Sequence, residues 1–180
     1  HERRLMAGLD RLTSRQRSDD RLAAADVALQ QTLHRVGMLE VGGDLVGFNG
    51  GFNPKLPLDY YCDLFASVRE RYGDRVEFYA LTVAEFMYLA DRAGLSYAEA
   101  AARLRDAGVH WVTGGGSEIL TEDFRKRHAK FKYTVAGFFD AQRAIVESGM
   151  RTTATMVIGF DETLEERLEH LKRTRDFQDA

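Results

Sequence analysis

The amino-acid sequence predicts an α/β protein with a parallel sheet and outer helices. Short apolar segments alternate with longer segments of helical period, in the order helix, strand, helix, strand, two helices, strand, two helices, strand and helix. Such alternation implies parallel strands joined by right-handed crossovers, and we expect the helices to cover the sheet on its faces. Because four strands cannot close an eight-stranded barrel, the sheet is either open and doubly wound or part of a (βα) barrel.

The composition limits the class of protein. The chain has 180 residues, of which 44% are hydrophobic and 29% charged, as is typical of one soluble globular domain. No apolar run approaches the roughly 18 residues of a membrane helix, so we predict a cytoplasmic protein without a membrane partner. The net charge of −3 gives no general attraction for nucleic acid. The single cysteine, Cys62, excludes an internal disulfide and any site that needs several thiolates from this chain.

The first segment differs in pattern from the rest of the chain. Residues 1–18 are rich in arginine and have little apolar periodicity, so we expect an irregular or linker-like segment. Residues 19–180 form the second predicted region, which begins with a helix over about residues 20–40. Two glycines end this helix, and residues 45–48 are predicted to be a short buried strand.

Apolar periodicity and cap residues place the remaining elements. Both prolines of the chain lie in residues 52–57, which must therefore be a loop. Three pairs have the spacing of a capping box, which marks the first turn of a helix: Thr82 with Glu85, Ser96 with Glu99, and Thr163 with Glu166. The predicted helices span residues 61–72, 82–94, 96–108, 121–128, 134–148 and 163–176, and the other predicted strands span residues 75–81, 109–113 and 152–159.

The segments that follow the four strands are expected to share one rim, because ligands bind at the carboxyl ends of parallel strands. These segments are residues 49–51, 82–85, 114–118 and 159–162. The third segment contains a triple glycine turn, and glycine lets a ligand approach the main chain closely. Backbone N–H groups, small hydroxyls and carboxylates at this rim suit a polar ligand with amino, carboxylate or ribose groups. The glycine motifs that bind nucleotide phosphates are absent, so phosphate is the weaker choice.

The three carboxylates of the predicted rim are Glu85, Glu118 and Glu162. Two of these carboxylates also have a structural explanation. Glu85 fits its capping box, and the negative charge of Glu162 interacts favourably with the dipole of the helix that follows it. Glu118 has no serine or threonine three residues before it, so no capping box accounts for it. We therefore take Glu118 as the best candidate catalytic carboxylate and Glu85 as the second. No histidine or cysteine spacing typical of a metal site occurs, so no metal ligand is predicted.

Three segments of the sequence resemble one enzyme family. They are residues 49–61 (NGGFNPKLPLDYY), 114–120 (GGGSEIL) and 152–156 (TTATM). In their order and spacing they are similar to the radical S-adenosylmethionine (SAM) enzymes of futalosine-dependent menaquinone synthesis, in particular to the cyclic dehypoxanthine futalosine synthases, and to the related deazaflavin synthases. The resemblance covers about residues 20–180.

The resemblance implies a partial (βα) barrel, a [4Fe–4S] cluster with an electron donor, and reductive cleavage of SAM to a 5′-deoxyadenosyl radical that acts on a nucleoside substrate. Gly50 and Gly51 resemble the family's glycine pair, which receives the SAM amino group through its backbone. Glu118 is expected at the SAM ribose, and Arg125 at the SAM carboxylate.

One further segment resembles the family's G-x-I-x-G-x-x-E motif beside the adenine. The residues at the corresponding positions are Thr155, Val157, Gly159 and Glu162. Thr155 replaces the first glycine of the motif, so the chain departs from the family at this contact.

The largest departure from the family concerns the iron–sulfur cluster. The family's C-x-x-x-C-x-x-C motif is absent, and Cys62 alone cannot supply the thiolates that such a cluster needs. Either the cluster segment lies upstream or the chain generates no radical, and the abrupt start at His1 and end at Ala180 favour an inactive fragment. A deazaflavin synthase subunit is one alternative, and a non-catalytic (βα) module that binds a nucleoside or acts as a scaffold is another.

Overall fold

The computed structural model describes residues 44–129 and 133–180. The predicted irregular segment over residues 1–18 and the predicted helix over residues 20–40 lie outside this part of the chain. The boundary between the two predicted regions, at residue 19, therefore stays a prediction.

The four strands of the described residues form one parallel sheet. These strands are β1 (Leu45–Phe48), β2 (Glu77–Thr82), β3 (Trp111–Thr113) and β4 (Arg151–Thr152). Their order across the sheet is their order along the chain. A doubly wound sheet reverses its strand order at a switch point, whereas a (βα) barrel keeps sequential order. The prediction of an α/β fold is confirmed, and the strand order favours part of a (βα) barrel.

Six α-helices connect or follow these strands in the described part of the chain. They are α1 (Leu58–Tyr72), α2 (Val83–Ala93), α3 (Tyr97–Asp106), α4 (Glu122–His128), α5 (Val135–Glu147) and α6 (Leu164–Gln178), and a 3₁₀ turn, Gly73–Arg75, follows α1. All three predicted capping boxes are present, at the first turns of α2, α3 and α6. The helix starts were predictable because a capping box is a local signal that lies within four residues.

The helices pack on one face of the sheet. Phe78 and Ala80 of β2 and Val112 of β3 point to this face and have no exposed surface. Phe65 of α1 packs against this layer, with its ring centroid 5.4 Å from that of Phe48 and 6.2 Å from that of Phe78. The core therefore lies between the helices and alternate residues of each strand.

The opposite face of the sheet is polar and aromatic. Glu77, Tyr79, Trp111 and Arg151 lie on it and are exposed or half-buried. The Trp111 indole donates to the Glu77 carboxylate at 2.9 Å, and the Arg151 guanidinium lies 5.0 Å from the Trp111 ring centroid. The strands alternate apolar and polar residues, and the described helices pack on the apolar face. The predicted helix over residues 20–40 lies outside the described residues, so helix cover of the second face stays a prediction. In a (βα) barrel this second face points to the interior.

Each of the four predicted strands needed a correction. The second strand, predicted over residues 75–81, spans Glu77–Thr82, because Arg75 belongs to the 3₁₀ turn after α1. The fourth strand, predicted over residues 152–159, ends at Thr152, because the hydroxyls of Thr153 and Thr155 replace the backbone ladder beyond that point. The third strand begins at Trp111 instead of residue 109. The first strand is half exposed and not buried, because it alternates exposed and partly buried residues.

Candidate functional site

The triple glycine turn of residues 114–116 packs too closely against its neighbours for any side chain. A Cβ atom on the first glycine would lie 2.0 Å from the Thr153 carbonyl oxygen. On the second it would lie 2.6 Å from Thr82 Cγ2, and on the third 2.4 Å from Ala84 Cβ. The sequence suggested that these glycines open the main chain to a ligand. The structure shows that the missing side chains let the segments after β2 and β4 pack directly against this turn. The predicted rim segments therefore contact one another at the glycine turn.

Hydroxyl groups hold this turn against the segment after β4. The Gly114 N–H donates to the Thr153 hydroxyl at 3.0 Å, and the Thr155 hydroxyl donates to the Gly114 carbonyl at 2.6 Å. The Ser117 hydroxyl donates to the Thr155 carbonyl. Thr155, which stands where the resembling motif has glycine, therefore supplies a hydroxyl that bonds to the glycine turn.

Glu85 joins the end of β1 to the start of α2. Its side chain is buried, with 5% of the residue exposed. Oε1 accepts the N–H of Gly50 at 2.9 Å and also the N–H of Gly51, while Oε2 accepts the N–H of Thr82 at 2.6 Å. The Thr82 hydroxyl oxygen accepts the N–H of Glu85 at 3.1 Å, which completes the capping box. One carboxylate thus connects two of the predicted rim segments.

The two glycines after β1 are needed for different reasons. A Cβ atom on Gly50 would lie 2.9 Å from the Tyr61 hydroxyl oxygen, so the phenol ring leaves no space there. Gly51 has φ of +66°, which side chains rarely allow, and open space lies where its Cβ would be. Burial and, to a lesser degree, the Glu85 charge raise the pKa of Tyr61, so this phenol stays neutral. Both glycines are exposed, and the side that a Cβ would occupy is filled by Tyr61 at Gly50 and open at Gly51.

Arg125 of α4 is a buried cation with 3% of the residue exposed. Nη1 donates to the carbonyls of Gly116 and Ser117 at 3.3 and 3.0 Å. Nε donates to the Tyr133 carbonyl at 2.7 Å, and Nη2 donates to the same oxygen. Burial lowers the pKa of Arg125, and the nearby Glu118 carboxylate opposes this shift. The structure thus gives Arg125 a role in holding the glycine turn, and the predicted contact with a SAM carboxylate stays a prediction.

Glu118 combines a strained backbone with a partly shielded carboxylate. Its φ is +43°, and 19% of its side-chain surface is exposed. Oε2 lies 4.0 Å from Nη1 of Arg125, and the Glu118 carbonyl accepts the N–H of Val157 at 3.1 Å. Leu81, at the end of β2, is the other non-glycine residue of the described chain with positive φ. Strain of this kind costs about 1–3 kcal/mol and often marks functional sites. Glu118 lies in the predicted rim, and Leu81 directly precedes the rim segment of residues 82–85.

The segment after β4 carries exposed apolar side chains beside Glu118. Val157 is 46% and Ile158 57% exposed. Farther along, Glu162 accepts the N–H groups of Gly159 and Phe160, each at 2.9 Å. The bond from Gly159 is the largest reason why the pKa of Glu162 falls to about 2, and the Arg167 side chain and the Phe160 N–H add to it. Glu162 therefore fixes the turn of its own segment, and its carboxylate is not directed to the turns of the other strands.

Curated relatives match most of the chain. It is 41% identical over 141 residues to a cyclic dehypoxanthine futalosine synthase of Halalkalibacterium halodurans, a match that covers 78% of this chain and 38% of the relative. It is 38% identical over 134 residues to an aminodeoxyfutalosine synthase of Thermus thermophilus, covering 74% of this chain and 36% of the relative. It is 31% identical over 153 residues to a 5-amino-6-(D-ribitylamino)uracil–L-tyrosine 4-hydroxyphenyl transferase of Methanosarcina mazei, covering 84% of this chain and 40% of the relative.

The chain belongs to the radical SAM group that these relatives form. It spans less than half of the length of the relatives it matches. No protein-family model matches it. In residues 44–129 and 133–180, no helix has both the length and the apolar character that crossing a membrane requires.

The residues present do not fit the [4Fe–4S] cluster of a radical SAM protein. Cys62 is the only cysteine of the chain. It is half-buried on α1, its thiol faces the Arg103 carbonyl at 3.9 Å, and burial raises its pKa, which disfavours the thiolate. Among the described residues, no group of three His, Cys, Asp or Glu side chains is placed to hold a metal ion. The cluster ligands must therefore come from outside this chain if a cluster is bound.

The predicted site residues of this radical SAM chain fall into two connected clusters and one separate turn. Gly50, Gly51 and Glu85 form the first cluster, and Glu118, Arg125, Thr155 and Val157 the second. The segment after β2 joins the two clusters. The N–H of Ala84 donates to the Gly115 carbonyl at 3.3 Å, and the Thr82 side chain packs against Gly115. The separate turn contains Gly159 and Glu162.

Sequence reasoning missed three residues that build this site. Thr153 and Ser117 hold the glycine turn, and Tyr61 closes one side of Gly50. The hydroxyl residues Ser117, after the glycine turn, and Thr153, directly after β4, were a usable signal, because small hydroxyls at neighbouring strand ends can bond to one another. The position of Tyr61 had no local signal, since it depends on packing between a helix and a loop.

Proposed function

We propose that this chain forms the SAM-facing part of a radical SAM enzyme that acts on a futalosine-type nucleoside in menaquinone biosynthesis. The observation that carries the proposal is the joining of all four strand ends of the described sheet by Glu85 and the glycine turn, in a chain that belongs to the radical SAM group. In parallel sheets of this type ligands bind at the carboxyl ends of the strands, where these residues lie.

The described residues fit the polar and nucleoside parts of SAM. Gly51 has an accessible backbone, which suits the amino-acid end of the ligand. Glu118 offers a partly exposed carboxylate, which accepts hydrogen bonds from ribose hydroxyls. Val157 and Ile158 offer exposed apolar surface, which suits the adenine ring. Each of these three assignments is part of the proposal.

The chain supplies groups that bind SAM, but it does not supply the ligands of the iron–sulfur cluster. A [4Fe–4S] cluster, reduced by an external electron donor, provides the electron for radical SAM chemistry, and the single cysteine of this chain cannot hold one. We therefore propose that the 180-residue chain alone generates no radical. In an active protein the cluster ligands belong to a segment that is not part of this sequence.

Reductive cleavage of SAM tests the proposal. The protein in its full-length form would be reconstituted anaerobically with iron and sulfide, mixed with SAM and dithionite, and assayed for 5′-deoxyadenosine. We expect reductant-dependent release from the full-length protein and none from residues 1–180. A full-length sequence without a three-cysteine motif, or no release after reconstitution, would contradict the radical SAM proposal.

Two other functions are distinguishable by simple measurements. The match to a 4-hydroxyphenyl transferase favours a deazaflavin synthase subunit as the second candidate. Product analysis with a futalosine-type substrate and, separately, with 5-amino-6-(D-ribitylamino)uracil and tyrosine would decide between these enzymes.

The single cysteine favours a non-catalytic nucleoside-binding or scaffold module as the third candidate function. Nucleoside binding without 5′-deoxyadenosine release, in any form of the protein, would support that module.

A further inference from the structure

We propose that Glu85 is a positioning residue, which holds the backbone of Gly50 and Gly51 in the conformation that the ligand meets. The identity of the ligand rests on the proposed function, but the positioning role does not. The observation behind it is that the two carboxylate oxygens have separate partners. Oε2 bonds to Thr82 within the capping box, whereas Oε1 bonds to two backbone N–H groups that lie 34 and 35 residues earlier in the chain.

The other capping boxes of the described chain show that these long-range bonds are not part of helix capping. Glu99 uses Oε2 for the N–H and hydroxyl of Ser96, at 2.9 and 2.7 Å. Glu166 uses Oε2 for the Thr163 N–H at 3.0 Å and for the side chain of Arg127 at 2.9 Å. Within residues 44–129 and 133–180, neither of these carboxylates bonds to the backbone after a strand. Glu85 differs because its second oxygen reaches the turn after β1.

Helix α2 holds the loop after β1 along one of its faces. Glu85, Tyr88 and Arg92 lie at helical positions i, i+3 and i+7, and so share this face. The Tyr88 ring packs edge-on against Phe52 at 5.2 Å, and Arg92 donates to the Asn53 carbonyl at 3.2 Å. Glu85 is the buried member of the three. The contacts of Glu85 and Arg92 are both charge-assisted, but Glu85 is buried and accepts two N–H groups of the loop, so it supplies the firmest of these contacts.

The position of the clamp explains why it affects the ligand. Gly51 is exposed and has left-handed φ, and its N–H is held by Glu85. Releasing that N–H allows the peptide to rotate, and misplacement of a binding group by about 1 Å can cost on the order of 100-fold in function. Loss of the clamp should therefore weaken ligand binding while the helix and the sheet remain folded.

The test replaces Glu85 by an isosteric amide and compares it with a capping control. Glu85→Gln places an NH₂ group against backbone N–H donors, and Glu99→Gln makes the same change in a capping box without a clamp. Amide hydrogen exchange at Gly50, Gly51 and Ala90 is measured by NMR in the full-length protein. The dissociation constant for S-adenosylhomocysteine and the Tm are measured for each variant.

We expect Glu85→Gln to speed exchange at Gly50 and Gly51 at least about tenfold and to weaken S-adenosylhomocysteine about tenfold or more. Exchange at Ala90, within α2, should change little, and Glu99→Gln should leave both readouts unchanged. Unprotected Gly50 and Gly51 amides in the wild-type protein, or equal effects of the two variants, would overturn the positioning role. If the wild-type protein bound no S-adenosylhomocysteine, the proposed function would fail, while hydrogen exchange would still decide the role of Glu85.

Discussion

The imidazole of His170, on α6, accepts the backbone N–H of Leu120 through Nδ1 at 3.0 Å. His170 is 2% exposed, and it connects α6 to the segment after the glycine turn. A protonated Nδ1 cannot accept a hydrogen bond, so this contact requires the neutral ring. Burial lowers the pKa of His170, which agrees with that requirement.

The first prediction concerns pH. Because the folded-state pKa of His170 is below its value in the unfolded chain, about 6.5, the unfolded state binds more protons as the pH falls through 6.5. The contribution of neutral His170 to the free energy of unfolding is therefore fully present above the unfolded pKa and is lost below it. We expect the Tm to fall between pH 7.5 and pH 5.5, and to fall less in His170→Gln.

His110 is a second histidine whose contact requires the neutral ring, so it should contribute to the same pH dependence of the Tm. Its Nδ1 accepts the N–H of Phe78 at 3.3 Å, and burial, followed by the charge of Arg69, lowers its pKa. His110→Gln should therefore remove another part of the same pH dependence. If wild type and both variants had the same change of Tm with pH, neither histidine would have the assigned role.

The second prediction concerns the space around the glycine turn. Gly114→Ala places a Cβ atom 2.0 Å from the backbone oxygen of Thr153, which cannot move without shifting the segment after β4. We expect a loss of about 3 kcal/mol or more in the free energy of unfolding, measured by urea denaturation. Gly47→Ala is the matched control, because its Cβ would lie 3.9 Å from the nearest atom, the Tyr79 carbonyl oxygen. Similar losses for the two variants would show that the turn is not tightly packed.

The third prediction concerns Arg125. Arg125→Lys keeps the charge, but a single ammonium cannot reach the carbonyls of Gly116, Ser117 and Tyr133 together. We expect a loss of about 2–4 kcal/mol in the free energy of unfolding, because buried carbonyls lose their donors.

Arg127 is the control for this substitution. It lies on the same helix, its side chain is 39% exposed, and it pairs with Asp161, which is exposed, and with Glu166, which is partly buried. Ion pairs near the surface contribute about 0–1 kcal/mol, so Arg127→Lys should change stability less than Arg125→Lys. If Arg125→Lys were as mild as Arg127→Lys, the guanidinium would not hold the glycine turn.

The parts of the fold with local signals could be predicted from the sequence. The capping boxes at Thr82, Ser96 and Thr163 marked three helix starts, because both partners of each box lie within four residues. The alternation of short apolar segments with helical segments predicted the parallel sheet, because both kinds of segment are visible in the local residue pattern. The early end of β4 was not predictable, since it depends on where the hydroxyls of Thr153 and Thr155 meet another strand end.

The candidate site shows the same limit. The rim carboxylates were identifiable, because parallel strands bring their carboxyl ends to one edge. The clamp of Glu85 on Gly50 joins residues 35 positions apart, and no local pattern specifies such a contact. Arg125 is the other example, since the same residue type at a helix surface is usually solvated, and only packing shows that it is buried.

Glu118 provides the final prediction, which concerns ligand binding. Glu118→Gln keeps the shape of the side chain and removes the charge that the proposed ribose contact uses. A hydrogen bond to a charged group contributes about 1.5–3 kcal/mol, which corresponds to about tenfold or more in affinity. Glu165→Gln, on the exposed first turn of α6, makes the same change of net charge away from the rim.

The dissociation constant of S-adenosylhomocysteine, measured by isothermal titration calorimetry, tests the central claim most directly. The account predicts saturable binding to the wild-type protein, unchanged binding to Glu165→Gln, and binding that is at least about tenfold weaker in Glu118→Gln at a similar Tm. Equal affinity of the wild-type protein and Glu118→Gln, or no binding to the wild-type protein, would contradict a SAM site at the carboxyl ends of these strands.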